Sequence, residues 1–368
     1  MAAETACIPV EGYCDSRFEP VREAFRSNLE RHGDVGASVS VVIDGKPVVD
    51  LWGGYADAAK TRPWTRDTIG IVASTTKGLT GIAANMLIDR GQLDPNALVT
   101  NYWPEYGQKG KERTLVRHMM DHRAGLPAVG TPEQFMEWGA ITRALAEAAP
   151  DWEPGTAHSY HGMTYGWLVG ELIRRVSGKT PGQFLRDEIA GPLGVDAYIG
   201  TPSEKDPQVA EIISDEPALR TILASPQARR AEMPAGNGHT NARALARIYG
   251  ALARGGEVDG VRLISDSTLR HATSYCVTGP WEGVDNSNPA IGATQATKFA
   301  QGFILNSPVT HMGPNPRAFG YAGAGGSASF ADPAAKLGFA YMMNRFAEIA
   351  TQDSRSGRLV DAVYACLQ

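Results

Sequence analysis

A serine three residues ahead of a lysine can start acyl-transfer chemistry if a helix begins between them. Ser74-Thr75-Thr76-Lys77 is the only Ser-x-x-Lys string in the sequence. A serine hydroxyl is a weak nucleophile until a base takes its proton. In the first turn of a helix, residues three apart share a face, so the Lys77 amine can fold back onto the Ser74 hydroxyl. The unpaired N–H groups and partial positive charge at a helix start favour an alkoxide and a nearby oxyanion. For Lys77 to act as base it must be neutral near neutral pH, which requires burial or a cationic neighbour. In isolation the same string also suits a plain helix N-cap followed by a solvated lysine. The elements around it have to separate the two.

Residues 68–73 approach Ser74 as a strand. After it, Leu79, Ile82, Ala83, Met86 and Leu87 trace one buried helical stripe, with Gly91 just past the helix end. Phe18, Val21, Phe25 and Leu29 predict an N-terminal amphipathic helix that stops near Gly33. Residues 38–43 and 48–52 are rich in β-branched side chains, and Asp44-Gly45 between them is a strong hairpin signal. From about residue 101 to 255 the pattern is mostly helical, for example over 163–176. Strand signals return near Gln301. Residues 327–330 and 337–343 read as strands joined by a turn at Asp332-Pro333, and Leu359, Val360, Val363, Tyr364 and Leu367 form a closing helical stripe.

These signals predict an α+β architecture in which residues 1–100 and 256–368 share one antiparallel sheet covered by helices. Residues 101–255 would form a mainly helical domain inserted into it. A chain of 368 residues exceeds what a single core usually supports, and two lobes can enclose a cleft.

Apolar residues make up 43% of the chain and charged residues 20%, as in ordinary globular proteins. The net charge of −5 and the lack of Lys/Arg clusters argue against a nucleic-acid partner or an anionic membrane surface, which leaves a small molecule. No stretch approaches the length of a spanning helix, and residues 1–9 carry no signal-peptide pattern. Cys7, Cys14, Cys276 and Cys366 have no metal-type spacing. They read as free thiols in a reducing, cytoplasmic compartment, with a Cys7–Cys14 bridge as the alternative.

Beyond Ser74 and Lys77, several landmarks follow in order. They are Gly91-Gln-Leu-Asp94, His122-Arg-Ala-Gly-Leu126 with Pro127, and Pro154-Gly155 ahead of Ser159-Tyr160. Together they resemble the penicillin-recognising serine hydrolases, in the branch that contains class C β-lactamases, DD-peptidases and family VIII carboxylesterases. The resemblance spans most of the chain and implies a β-lactamase/transpeptidase-like fold. It also implies that Tyr160 stands beside the nucleophile and passes a proton between the serine and the leaving group. An adjacent ammonium would favour the ionised phenol.

Two departures bear on substrate. The family's second motif is usually Tyr-x-Asn, but Gly162 occupies its third position. The third motif usually starts with Lys or His, but here reads Tyr321-Ala322-Gly323. Both steer the expectation from β-lactams and peptides toward neutral esters. The resemblance also implies an oxyanion hole made by the N–H groups of Ser74 and Ala324. Tyr321, Gly323, Trp152 and His158 are the expected substrate-binding residues.

Gly323 to Ala328 fits G-x-G-x-x-A but lacks a following helix, and Ser177-Gly-Lys-Thr180 lacks the earlier glycine of a phosphate loop. The pairs His118/His122 and His158/His161 lack a third metal ligand. No G-x-S-x-G is present. The expectation is a carboxylesterase acting on a small-molecule ester without metal or cofactor. Its rivals are an acyltransferase on the same scaffold, a β-lactamase, DD-peptidase or D-amino-acid amidase, and a binding protein that keeps only the fold.

Overall fold

The Asp44-Gly45 turn closes a hairpin between β2 (Gly36–Ile43) and β3 (Lys46–Gly54), with both turn residues at positive φ, 48° and 81°. That geometry matches the right-handed twist of the strands it joins. The computed structural model describes residues 8–216, 223–274, 277, 297–346 and 354–368. Cys7 and Cys276 therefore lie outside the described residues, while Cys14 and Cys366 are free, half-buried thiols.

β1 (Val10–Cys14) pairs with β3 at one edge of the main sheet. Three short strands lie apart from it, β4 (Gly70–Ile71), β5 (Ala197–Tyr198) and β6 (His239–Thr240), with β6 in the middle. β7 (Glu257–Val258) and β8 (Val261–Arg262) make a small separate hairpin. β9 (Lys298–Phe299), β10 (Ile304–Leu305), β11 (Phe319–Ala322), β12 (Ala328–Asp332) and β13 (Leu337–Met343) complete the main sheet. Its order is β1-β3-β2-β13-β12-β11-β10-β9, antiparallel at every pairing, so the first and last parts of the chain meet where β2 pairs with β13.

Helices cover both faces, which is why β13 is buried along its whole length. On one side, Val39, Val41, Phe339 and Tyr341 pack with Val21, Phe25 and Leu29 of α1 (Glu19–Arg31), and with Leu359 and Val363 of the C-terminal helix. On the other, Val42, Ala340 and Met342 belong to the larger core that contains α2 (Thr76–Asp89). α3 (Val116–Met120) and α4 (Trp138–Glu147) pack on α5 (Thr164–Ser177), which in turn packs on α2. α6 (Ala242–Ala253) instead lies directly on β2, β12 and β13. α7 (Asp266–Ser274) and α8 (Ser354–Ala365) follow.

The α+β, antiparallel architecture expected from the sequence is the one observed, with two differences of detail. The strand expected over residues 68–73 shrinks to Gly70–Ile71, because the chain must turn immediately to present Ser74. The helix after it buries every residue from Thr76 to Leu87 rather than one stripe. It runs between β11 on one side and α5 on the other. Among the described residues no helix is long and apolar enough to cross a membrane. The phosphate-loop lookalike is a helix boundary, with Gly178 ending α5 in the left-handed conformation and Thr180 capping the next short helix.

Candidate active site

Ser74 sits in a single 3-10 turn, Ala73–Thr75, that feeds directly into α2. The residue before it, Ala73, has φ 43°, a left-handed value that a non-glycine residue holds only when its surroundings enforce it. Thr76 does so at short range. Its hydroxyl donates to the Ala73 carbonyl at 2.6 Å and accepts the Gly238 N–H at 2.8 Å. The turn therefore lifts Ser74 into a half-exposed position above an otherwise buried helix.

Lys77 is completely buried in the first turn of α2. Its Nζ lies 3.1 Å from Ser74 Oγ and donates to the Ala235 carbonyl at 2.9 Å. Among the described residues no carboxylate forms an ion pair with it, and burial holds its pKa well below 10.5. In its neutral form, with one N–H committed to Ala235, the amine would keep a lone pair for the Ser74 hydroxyl proton. The Ala235 carbonyl is itself held in place. Asn237 caps the segment by accepting the Met233 N–H and donating to the Ala228 and Ala231 carbonyls, while Thr80 of α2 donates to the Pro234 carbonyl at 2.6 Å.

Tyr160 joins this pair. The Lys77 Nζ stands 4.8 Å from the centre of its ring. Burial pushes the phenol up to about 12, with a hydrogen bond to Ser74 pulling the other way. The sequence suggested an ammonium that would ionise the phenol. In the structure burial acts on both groups, lowering the pKa of the amine and raising that of the phenol.

The β11–β12 connection closes on the Ser74 turn. Ser327 Oγ donates to the Val72 carbonyl at 2.8 Å, leaving its oxygen to accept from Thr75 Oγ1 at 3.1 Å. Gly323 is forced by this closeness, since a Cβ there would meet the Val72 carbonyl oxygen at 2.4 Å. Gly325, at φ 89°, gives its carbonyl to Arg355 at 2.7 Å. Arg355 in turn is buried against Asp34 at 2.6 Å. Ala324 lies in this turn, half-buried, on the side of the sheet where β11 meets Ser74.

The remaining expected residues occupy different settings. Tyr321 is 1% exposed, with its hydroxyl 2.8 Å from His122 Nε2. His158 is buried, edge-on to Phe299 with 6.1 Å between ring centres, and burial lowers its pKa. Trp152 packs edge-on to His161 and lines a 460 Å³ groove with Lys109, Arg113 and Glu153. Gly162 is open, because a Cβ built there meets nothing within 4 Å. A larger cavity of 870 Å³ lies far from Ser74, between α6, α7 and the β12–β13 turn.

Three residues that shape the site escaped sequence reasoning. One is Ala235, whose only signal was a Pro-Ala-Gly-Asn turn composition. The second is the strained Ala73. The third is His122, whose partner Tyr321 lies far away in the sequence.

A model of the Beta-lactamase family matches residues 21–364. The crystal structure of a family VIII carboxylesterase is 37% identical and superposes with a TM-score of 0.90, covering 98% of this chain and all of that one. A penicillin-binding protein homologue from Caulobacter crescentus is also 37% identical, with a TM-score of 0.85 over 97% of this chain and all of its own. Among curated proteins, the esterase/beta-lactamase LipL of Mycobacterium tuberculosis is 34% identical over 91% of this chain and 83% of its own length.

Proposed function

Since the chain belongs to the Beta-lactamase family and is a serine hydrolase of that fold, we propose that it cleaves carboxylic esters through an acyl-enzyme on Ser74. The observation that carries this reading is the 3.1 Å approach of a buried, carboxylate-free Lys77 amine to the Ser74 hydroxyl.

In the first step the Lys77 lone pair takes the Ser74 proton as Oγ attacks the ester carbonyl carbon. The carbonyl π electrons move onto oxygen, where the Ser74 and Ala324 N–H groups stabilise the charge. One such donor is typically worth about 3 kcal/mol in the transition state. The tetrahedral adduct then expels the alcohol oxygen, which receives a proton from the Tyr160 phenol, and Lys77 returns the proton to Tyr160. Water attacks the acyl-enzyme by the reverse proton path, releasing the acid and restoring Ser74.

Three features favour esters over amides and β-lactams. Gly162 offers no side-chain amide to recognise a substrate amide. Position 321 carries a neutral, buried phenol in place of a cation that would pair with a substrate carboxylate. A similar structure, 37% identical, is named as a family VIII carboxylesterase, whereas the name of the M. tuberculosis relative covers both esterase and beta-lactamase.

Intact-protein mass spectrometry during turnover of p-nitrophenyl butyrate tests the reading. The wild-type chain gains one butyryl group, and Ser74→Ala gains none and loses turnover. An unchanged rate in Ser74→Ala would rule the assignment out. A chromogenic cephalosporin run in parallel reads β-lactam turnover, which the name of the M. tuberculosis relative makes worth measuring.

A further inference from the structure

His122 makes a bond at each ring nitrogen, and together these determine where its proton sits. Nδ1 accepts the His161 N–H at 3.1 Å, so that nitrogen carries no hydrogen in the neutral ring. The proton is therefore on Nε2, which donates to the Tyr321 hydroxyl oxygen at 2.8 Å. The His122 carbonyl also accepts the Ser159 N–H at 3.1 Å. His122 thus grips the chain on both sides of Tyr160, while its ring lies 5.2 Å from the Tyr160 ring.

The same ring reaches a second structural unit. Tyr321 belongs to β11, the strand that leads into the Ala324 turn, and packs beside Gly78, the residue after Lys77. His161 reinforces the arrangement, accepting the Leu126 N–H at Nε2 and donating from Nδ1 to the Ser159 carbonyl. His122 itself sits at φ 65° and is 1% exposed, so the backbone is bent into a strained region to deliver this ring.

We propose that His122 and Tyr321 act as one positioning unit, in which the Nε2–H to hydroxyl bond fixes the Tyr160 segment against the strand and helix that carry the rest of the catalytic site. This rests on the reading that Tyr160 carries the proton to the leaving alcohol. It also gives a physical reason for tyrosine at 321. The group there must accept a hydrogen bond from His122, and a lysine ammonium has only donors to offer.

A double-mutant cycle on the full-length chain tests the unit, with kcat expressed per active site titrated by a fluorophosphonate. Tyr321→Phe removes only the hydroxyl. His122→Asn keeps an acceptor near the Nδ1 position and tolerates the left-handed backbone, but is too short to reach Tyr321. Each single variant is expected to lose about tenfold in kcat per titrated site with KM within about twofold, and the double variant to lose no more than either. Such non-additivity marks residues that share one hydrogen-bond network.

A role confined to stability would lower the number of titratable sites and leave kcat per site intact. The proposal is overturned if Tyr321→Phe retains wild-type kcat per site, a result that stands even if His122→Asn does not fold. It is equally overturned if the two losses multiply in the double variant. Tyr160→Phe separates the layers. If it keeps full kcat per site, the role of Tyr160 falls and this inference with it. If it loses kcat while Tyr321→Phe does not, only the positioning unit is wrong.

Discussion

Lys77 and Lys111 are both completely buried, and they stand at opposite ends of helices. Lys77 lies in the first turn of α2, where the helix contributes partial positive charge. It has one carbonyl and one hydroxyl as partners. Lys111 reaches the far end of α4, where its amine donates to the Ala146 carbonyl at 3.0 Å and to that of Ala148, over the face of the Tyr106 ring. There the helix contributes partial negative charge and exposed carbonyls, a setting that welcomes an ammonium. Burial lowers both pKa values, but only Lys77 is held well below its ordinary value. The base role proposed for Lys77 and the helix-capping role of Lys111 go with different settings, Lys77 lying deeper and at a helix start, Lys111 shallower and at a helix end.

Lys77→Arg should produce the largest effect. A guanidinium stays protonated, so it cannot accept the Ser74 proton, and kcat is expected to fall by about 10²–10⁴-fold, the usual worth of a general base. Steady-state kinetics on a p-nitrophenyl ester reads this directly. Wild-type kcat in Lys77→Arg would erase the distinction between the two lysines.

Lys111→Met should do the reverse. Two carbonyls at the end of α4 lose their donor, at a cost of about 1–3 kcal/mol in stability. Urea melts should record that loss, while kcat per titrated site stays unchanged. A selective loss of kcat would place Lys111 in the chemistry and contradict the comparison.

The smallest effect concerns position 162. Gly162 has free space where a side chain would project, so Gly162→Asn should fold normally. The added bulk is expected to change the ratio of kcat/KM for butyryl and acetyl esters by about tenfold, a typical worth for a small change in pocket size. An unaltered ratio would place the acyl chain elsewhere.

What the sequence made legible was local. Ser74 and Lys77 are three residues apart, so helical geometry alone brings them together, and Asp44-Gly45 sets its own turn. Val21, Phe25 and Leu29 proved buried because one face of α1 presents them together, and Phe18 is buried in the turn just ahead of it. Tyr160 came from motif resemblance rather than spacing.

What stayed hidden depends on distant segments meeting. The carbonyl that anchors Lys77 comes from a loop 158 positions away, and the His122–Tyr321 contact spans 199. The left-handed Ala73 is imposed by Thr76 and Gly238 rather than by any residue preference of its own. The lowered pKa of Lys77 follows from burial on every side of α2, whereas the apolar periodicity indicated only one buried stripe.

The central claim is that Lys77 is a neutral base at physiological pH, and the pH dependence of acylation tests it most directly. Ser74 should be acylated by a p-nitrophenyl ester, in stopped-flow measurements, at a rate that is flat from neutral pH upward and falls only on the acid side, as Lys77 gains its proton. No alkaline decline from Tyr160 is expected until near its own value of about 12. A rate that instead climbs tenfold per pH unit through neutrality toward 10.5, the ordinary value for lysine, would show that Lys77 is charged in the resting enzyme and contradict the account.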